Sequence, residues 1–176
     1  MKFKLRMLFL TMILQLTNFS ETNAQTLKID SMSKKYILQE VIYCDTNLTR
    51  ESLYKISKDW IVRNLKSSDN NILRDDTEFK QITATGNLKT NNPVVLCGLE
   101  GCRIEFKLTV NIKDGKIRYT IENIVEYSSS MTTMLEEFNL KKDSGRKAFS
   151  EIEAQLKNLA SSFKQAISNH DKKDDW

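Results

Sequence analysis

The chain has 176 residues, of which 40% are hydrophobic and 28% charged, the size and composition of one globular domain. Its formal net charge is +4, but the first 24 residues contribute three basic side chains and one acidic one, so the remainder carries +2. So small a charge, with acids and bases interspersed, gives no electrostatic footprint for nucleic acid. No apolar run after residue 24 approaches membrane-spanning length.

The N-terminus has the three-part pattern of a secretory signal peptide. Its basic residues come first, at Lys2, Lys4 and Arg6. The apolar run at residues 7–16 is too short to span a bilayer as a helix, because that needs roughly 20 residues. Thr22 and Ala24 are small residues of the kind that signal peptidase reads, so we predict cleavage after Ala24 rather than a buried N-terminal helix. The mature chain is therefore expected in the periplasm or outside the cell.

The first predicted elements are a strand and a helix, which follow a loose arm at residues 25–35. Tyr36–Tyr43, YILQEVIY, is rich in aromatic and β-branched residues, as strands are. The next segment opens with Thr49 as the N-cap of a helix that extends to about residue 66. Its apolar side chains repeat on one helical face at Leu53, Ile56, Trp60 and Leu65. The polar run SSDNN then favours a turn.

Four strands are predicted after this helix. Residues 72–75 form a short strand and residues 81–89 a longer one. The segment RIEFKLTVNIKDGKIRYTIENIVEY then forms a hairpin about a two-residue turn, Asp114 and Gly115, because Asp-Gly favours the positive φ angles of such turns.

The register of the hairpin follows from its turn. If Lys113 faces Lys116, the apolar side chains of both strands share one face of the sheet. The predicted pairs on that face are Ile112 with Ile117, Val110 with Tyr119, Leu108 with Ile121 and Ile104 with Val125. On the opposite face Lys107 meets Glu122 and Arg103 meets Glu126, and opposite charges across a pair stabilise it by about 0.2–1 kcal/mol.

A second amphipathic helix is predicted at residues 146–168, after a polar link. Its apolar residues recur at intervals of three and four: Phe149, Ile152, Leu156, Leu159, Phe163 and Ile167. The order is βαββββα, and a sheet with one apolar face requires both helices on that face. The predicted fold class is therefore α+β, with one domain over residues 36–168 and a disordered tail at residues 169–176.

Three segments of this pattern resemble a known family. SLYKISKDWI, QITATGN and FKLTVNIKDGKIRYTIENI are similar to an uncharacterised family of secreted proteins from Bacteroidota, described as a domain of unknown function with a TBP-like fold. The resemblance covers residues 36–127. It implies the same βαββββα arrangement, with two helices on one sheet face, and it implies no activity.

Two of the three cysteines lie close together in CGLEGC. A zinc site needs further ligands, and outside this pair the mature chain offers only Cys44 and His170. A redox pair would favour a two-residue spacing at a helix N-terminus. Export favours a disulfide. We therefore predict a disulfide between Cys97 and Cys102 that holds the loop, with Cys44 outside the pair and no metal or cofactor.

Catalysis has little support in the sequence. Arrangements of the Ser-His-Asp or Cys-His type need a histidine, and the only one, His170, lies in the predicted tail. Adjacent carboxylates such as Asp75 and Asp76 point apart on a strand, so they do not form an acid-base pair. The sequence therefore predicts a protein that is not an enzyme.

Two features favour binding. The first is the outward sheet face, which is predicted to carry Arg103, Glu105, Lys107, Thr109, Asn111, Arg118, Thr120, Glu122, Ile124 and Glu126. Its balanced charge differs from that of a TBP-like saddle that reads nucleic acid. Such a face is either simply solvated, or it receives a protein or glycan partner or an added strand at an open edge.

The second feature is a methionine segment, residues 131–140, whose apolar residues are Met131, Met134, Leu135, Phe138 and Leu140, the first four with helical spacing. Methionine surfaces adapt to varied apolar partners. The segment either caps one end of the core or contacts a partner or ligand. With VVLC at residues 94–97 it would enclose a pocket for a lipid-like molecule. We therefore predict a non-enzymatic binding domain of the bacterial envelope, with a carrier of a small apolar ligand as the alternative.

Overall fold

The computed structural model describes residues 26–44, 47–65, 71–90, 102–128 and 131–170. The strands in these ranges are β1 (Lys28–Ile29), β2 (Tyr36–Tyr43), β3 (Ile72–Asp76), β4 (Gln81–Thr90), β5 (Cys102–Lys113), β6 (Lys116–Tyr127) and β7 (Thr132–Met134). The α-helices are α1 (Arg50–Asn64) and α2 (Asp143–His170), and a 3₁₀ helix lies at Leu135–Glu137.

The described strands form one antiparallel sheet in the order β1-β2-β6-β5-β4-β3, with β7 also paired to β6. The predicted series is confirmed as β2, α1, β3 to β6 and α2. The prediction omitted two short strands. β1 lies in the segment predicted as a loose arm, and β7 lies in the predicted polar link. Short pairings of two or three residues carry too little periodicity to be read from a sequence.

Both helices pack on one face of the sheet, which confirms the α+β class with a single layer of helices. Thr49 is the N-cap of α1, and its side chain accepts a hydrogen bond from the Ser52 N–H at 3.1 Å. The predicted apolar stripe of α1 is buried. α2 begins three residues earlier than predicted and continues to His170, so the first two residues of the predicted tail are helical. Among the described residues, no helix combines the length and apolar character needed to cross a membrane.

The hairpin register is confirmed from the turn as far as Lys107 opposite Glu122. Beyond that pair the prediction is wrong by one residue. Ile104 lies opposite Glu126 rather than Val125, and Arg103 lies opposite Tyr127. The cause is a bulge in β6, where Asn123 has a φ of 53°. Such a bulge inserts an extra residue into one strand, and asparagine tolerates the left-handed conformation better than most residues.

Three aromatic rings join the helices to the sheet. The Phe163 ring of α2 lies 4.9 Å from that of Trp60 in α1 and 5.8 Å from that of Tyr119 in β6, measured between ring centres. The Tyr119 hydroxyl donates to Glu40 Oε2 at 2.8 Å, and Lys164 Nζ lies 2.6 Å from Glu40 Oε1. Burial, together with this bond to the Glu40 carboxylate, raises the pKa of Tyr119. The buried hydroxyl is thereby satisfied, and β2, β6 and α2 are tied together.

Candidate functional site

The outer face of the sheet lies opposite the two helices, and polar side chains cover its centre. Lys107 Nζ lies 2.8 Å from Glu122 Oε1, the facing pair expected from the sequence. Gln81 Nε2 donates to Asn111 Oδ1 at 2.7 Å. Because these groups satisfy one another, the centre of the outer face needs no partner to complete its hydrogen bonds.

One end of the outer face differs from the prediction because of the bulge in β6. The prediction places Ile124 and Glu126 on this face, but both turn away from it: Ile124 joins the core, and Glu126 is only 4% exposed. Val125 and Tyr127 alternate with them and take the outward positions. The Arg103 guanidinium lies 4.9 Å from the centre of the Tyr127 ring, so it makes a cation–π contact there.

The opposite end of the outer face carries a pocket of about 220 Å³, here named the hairpin pocket. Its lining comes from three neighbouring strands: Val41 and Tyr43 of β2, Asn111 and Lys113 of β5, and Lys116 and Arg118 of β6. The register places Val41 directly opposite Arg118, and Tyr43 opposite Lys116. Tyr43 is 81% exposed, which is unusual for an aromatic side chain. The pocket therefore combines cationic groups with an apolar ledge.

Among the described residues, no acidic side chain neutralises the cations of the hairpin pocket. Lys113, Lys116 and Arg118 form no ion pair with any residue that the structure describes, although Asp114 lies in the turn between the two lysines. Three like charges on adjacent strands raise the local positive potential, and this potential attracts anions. The hairpin pocket is thus suited to an anionic group.

Sequence reasoning missed the hairpin pocket. It placed Asn111 and Arg118 on the outer face, but it did not bring Val41 and Tyr43 beside them. The pairing of β2 with β6 joins residues about 80 positions apart, as in Val41 with Arg118, and no turn sets its register. The available signal was the alternation within β2, whose inward residues imply that Val41 and Tyr43 share the other face.

The methionine segment, residues 131–140, divides into a buried and an exposed part. It forms β7 and the 3₁₀ helix, so the helical spacing of its apolar residues does not produce an α-helix. Leu135 is 1% exposed in the core, and Phe138 packs against the core. Met131 is 65% exposed, and Met134 is also exposed. Leu135 and Phe138 therefore cap the core, and the two methionines remain available for contact.

A second pocket of about 220 Å³ lies beside this segment. Met131 and Phe138 line it together with Glu126, Glu137 and Lys142, among other residues. Pockets that hold small organic ligands are usually about 300–1,000 Å³. The space beside the methionine segment is thus small for a lipid-like molecule. Residues 94–97, which were expected to close such a pocket, lie outside the described residues.

The structure describes only one of the two cysteines that were predicted to form a disulfide. Cys102 is buried at the start of β5, as expected for the base of a held loop. Cys97 lies outside the described residues, so the disulfide stays a prediction. Cys44 is half-buried just after β2, with its Sγ 3.9 Å from the Ile42 carbonyl oxygen.

The adjacent carboxylates Asp75 and Asp76 have separate partners. Asp75 bonds the Tyr54 hydroxyl and lies 2.6 Å from Lys58 Nζ, toward the helices. Asp76 accepts a hydrogen bond from the Phe79 N–H at 2.9 Å and pairs with Arg74, and these two bonds lower its pKa. Both carboxylates therefore stabilise local structure. Among the described residues, no group of three histidine, cysteine or acidic side chains is placed to hold a metal ion.

Comparisons with known proteins address the fold. A family model described as a domain of unknown function, DUF4468, with TBP-like fold matches residues 39–127. A DUF4468 family protein from Bacteroides ovatus is 15% identical and has a TM-score of 0.61, over 84% of this chain and 90% of that one. A TBP-like protein from Parabacteroides distasonis is 12% identical and has a TM-score of 0.60, over 77% of this chain and 94% of that one. No curated protein matches the chain.

Proposed function

The chain belongs to the DUF4468 family of domains with a TBP-like fold, and we propose that it is an exported, non-enzymatic domain that binds an anionic partner in the bacterial envelope. The observation that carries this proposal is the hairpin pocket, in which Lys113, Lys116 and Arg118 lie without acidic partners among the described residues. Tyr43 and Val41 add apolar contact area beside them.

The position of the pocket supports a binding role. Its side chains project from three hydrogen-bonded strands, so the backbone beneath them is rigid and loses little conformational freedom on binding. At the centre of the outer face, by contrast, Lys107 is paired with Glu122. Attraction is therefore concentrated at the hairpin end, where it would orient an incoming anion.

The sequence supports the remaining parts of the proposal. The N-terminal pattern of basic residues, a short apolar run and small residues before Gln25 is that of an exported protein. A non-enzymatic role is consistent with Asp75 and Asp76, whose bonds to neighbouring groups leave them in structural positions.

We expect Lys116→Glu combined with Arg118→Glu to weaken binding to immobilised polyglutamate and polygalacturonate by at least about tenfold, because each change replaces an attraction with a repulsion. The measurement is the dissociation constant of the chain without its predicted leader, by biolayer interferometry at several salt concentrations. Wild-type affinity should fall as salt rises.

The matched control is Lys55→Glu combined with Lys89→Glu. It changes the net charge equally at exposed positions on α1 and at the far end of β4. Retained binding by this control locates the attraction at the hairpin pocket. The proposal would be contradicted if the two double variants weakened binding equally. It would also be contradicted if the wild-type chain bound neither polymer.

A second candidate function is the carriage of a small apolar molecule at the methionine segment. The exposure of Met131, which lines the pocket, and of Met134 in the same segment favours it. The pocket volume of about 220 Å³ restricts it to a small ligand. Native mass spectrometry of the exported chain should then show a bound apolar mass that disappears in Met131→Asp with Met134→Asp and persists in Met32→Asp, since Met32 is exposed elsewhere. An unliganded mass for the wild type would contradict it.

A further inference from the structure

Along residues 38–43, one edge of β2 has no strand beside it among the described residues. β6 pairs with Leu38 through Tyr43 on one side, and on the other side β1 reaches only Tyr36 and Ile37. Within the described residues, no further strand adjoins this edge. Six residues of β2 therefore present an edge to which another strand can add.

A single hydrogen bond shows which residues of β2 direct their backbone N–H and C=O groups toward this edge. The Cys44 N–H donates to the Gly115 carbonyl at 2.9 Å, which makes that pair a hydrogen-bonded one. Hydrogen-bonded and non-hydrogen-bonded pairs alternate along an antiparallel ladder. Tyr43, Val41 and Gln39 consequently direct their N–H and C=O groups away from β6. These groups are the donors and acceptors that an added strand would use.

The side chains of the same residues lie on the outer face. Val41 and Tyr43 line the hairpin pocket, and Arg118 and Lys116 stand directly behind them on β6. Strands lie about 4.8 Å apart, so an added strand would lie about 10 Å from the backbone of these cations. Long acidic and basic side chains that extend toward each other can span this distance across the apolar ledge. The edge and the pocket thus form one continuous surface.

The two edges of the sheet are protected to different degrees. β3, at the far edge, has only five residues, three of them charged, and a bulge between Ile72 and Arg74. These features discourage pairing with other chains. β2 has eight residues with no lysine, proline or bulge. Its one charged side chain, Glu40, is bonded to Tyr119 and Lys164 on the helix side. The edge of β2 is therefore open to pairing.

We propose that an extended segment of an acidic protein adds as a strand to the edge of β2 and directs carboxylates toward the hairpin pocket. This proposal rests on the proposed function and names its partner as a peptide. The free N–H and C=O groups favour a peptide over a glycan, because only a peptide backbone repeats the matching donors and acceptors. A second copy of this chain would bring a second set of the same three cations to the shared face, and their repulsion disfavours it.

The test uses a fluorescein-labelled peptide that alternates glutamate and valine, with binding followed by fluorescence anisotropy. We expect the wild-type chain to bind it, and a peptide that alternates lysine and valine to show no binding. N-methylation of every second amide in the acidic peptide removes alternate N–H donors, and two such peptides are compared, each methylated at the amides that the other leaves unchanged. In one of them the missing donors are those that face β2, so its binding should weaken by at least about tenfold. This change leaves the protein intact.

A protein variant tests the added strand independently of the methylated peptides. Val41→Pro removes an N–H that faces the free edge, a position where a strand tolerates proline. We expect this variant to melt as one cooperative unit and to lose affinity for the acidic peptide. The control is Val62→Ala, which replaces an exposed valine on the helix side. It should bind as the wild type does. Proline is not used at residue 62 because it would break α1.

The outcomes separate this inference from the proposed function. If both N-methylated peptides bind as tightly as the parent peptide, attraction is electrostatic only, and the added strand is refuted although an anionic partner stands. Binding of oligogalacturonate without binding of the acidic peptide refutes the peptide and leaves the anion site. Failure of both ligands to bind overturns both proposals.

Discussion

Phe163→Ala is expected to lower the free energy of unfolding by about 3–5 kcal/mol, the usual cost of truncating a buried phenylalanine. Phe163 is 2% exposed and contacts the rings of both Trp60 and Tyr119. Alanine would leave a cavity at the point where α1, α2 and β6 meet, and the neighbouring rings can fill it only in part. The measurement is urea unfolding followed by circular dichroism.

Phe79→Ala is the matched control for this prediction. It removes the same side chain from a turn where Phe79 is 67% exposed, so its effect should lie within about 0.5 kcal/mol of zero. Similar losses for the two variants would show that the aromatic cluster does not stabilise the domain as argued.

Gly86→Ala is expected to destabilise the domain by about 1–3 kcal/mol or more, the range for adding volume to a packed core. Gly86 lies opposite Phe106 across β4 and β5, and a Cβ atom at this position would overlap the Phe106 ring. The ring therefore occupies the space that a side chain at residue 86 would need. The measurement is the shift in the urea midpoint at an unchanged slope.

Two further variants check the cause of this effect. Gly86→Ala combined with Phe106→Leu should lose less stability than the sum of the two single changes, because the smaller side chain makes room for the methyl group. A Cβ added at Gly115 would have no described atom within 4 Å outside residues 114–116, but Gly115 has a φ of 68°. Gly115→Ala should therefore cost about 1–2 kcal/mol through backbone strain alone. Additive effects of Gly86→Ala and Phe106→Leu would contradict the proposed overlap.

Much of the fold could be predicted because its signals are local. The helix stripes follow from a 3.6-residue period, and the hairpin register follows from the turn at Asp114 and Gly115. Only Gly115 of the two turn residues has a positive φ. The prediction failed beyond Glu122 because a bulge at Asn123 depends on how the two long strands twist and pack. No periodic pattern in the sequence predicts this bulge.

The candidate site was less predictable than the fold. Met131 and Met134 are exposed as a contact surface requires, but Leu135 belongs to the core. The same apolar residue types serve both roles, and only the position of the surrounding elements separates them. The hairpin pocket was not predicted at all, since its residues come from β2, β5 and β6.

Local sequence patterns were enough to predict the order of the main helices and strands, the face that each buries and the register near the turn, because these depend on neighbours a few residues apart. Only the tertiary structure shows that β2 lies beside β6, that no described strand lies along residues 38–43 at its far edge, and that Tyr43 lies with Lys116 and Arg118. These results depend on contacts between residues far apart in the chain. Such contacts are decided only when all helices and strands bury their apolar faces together.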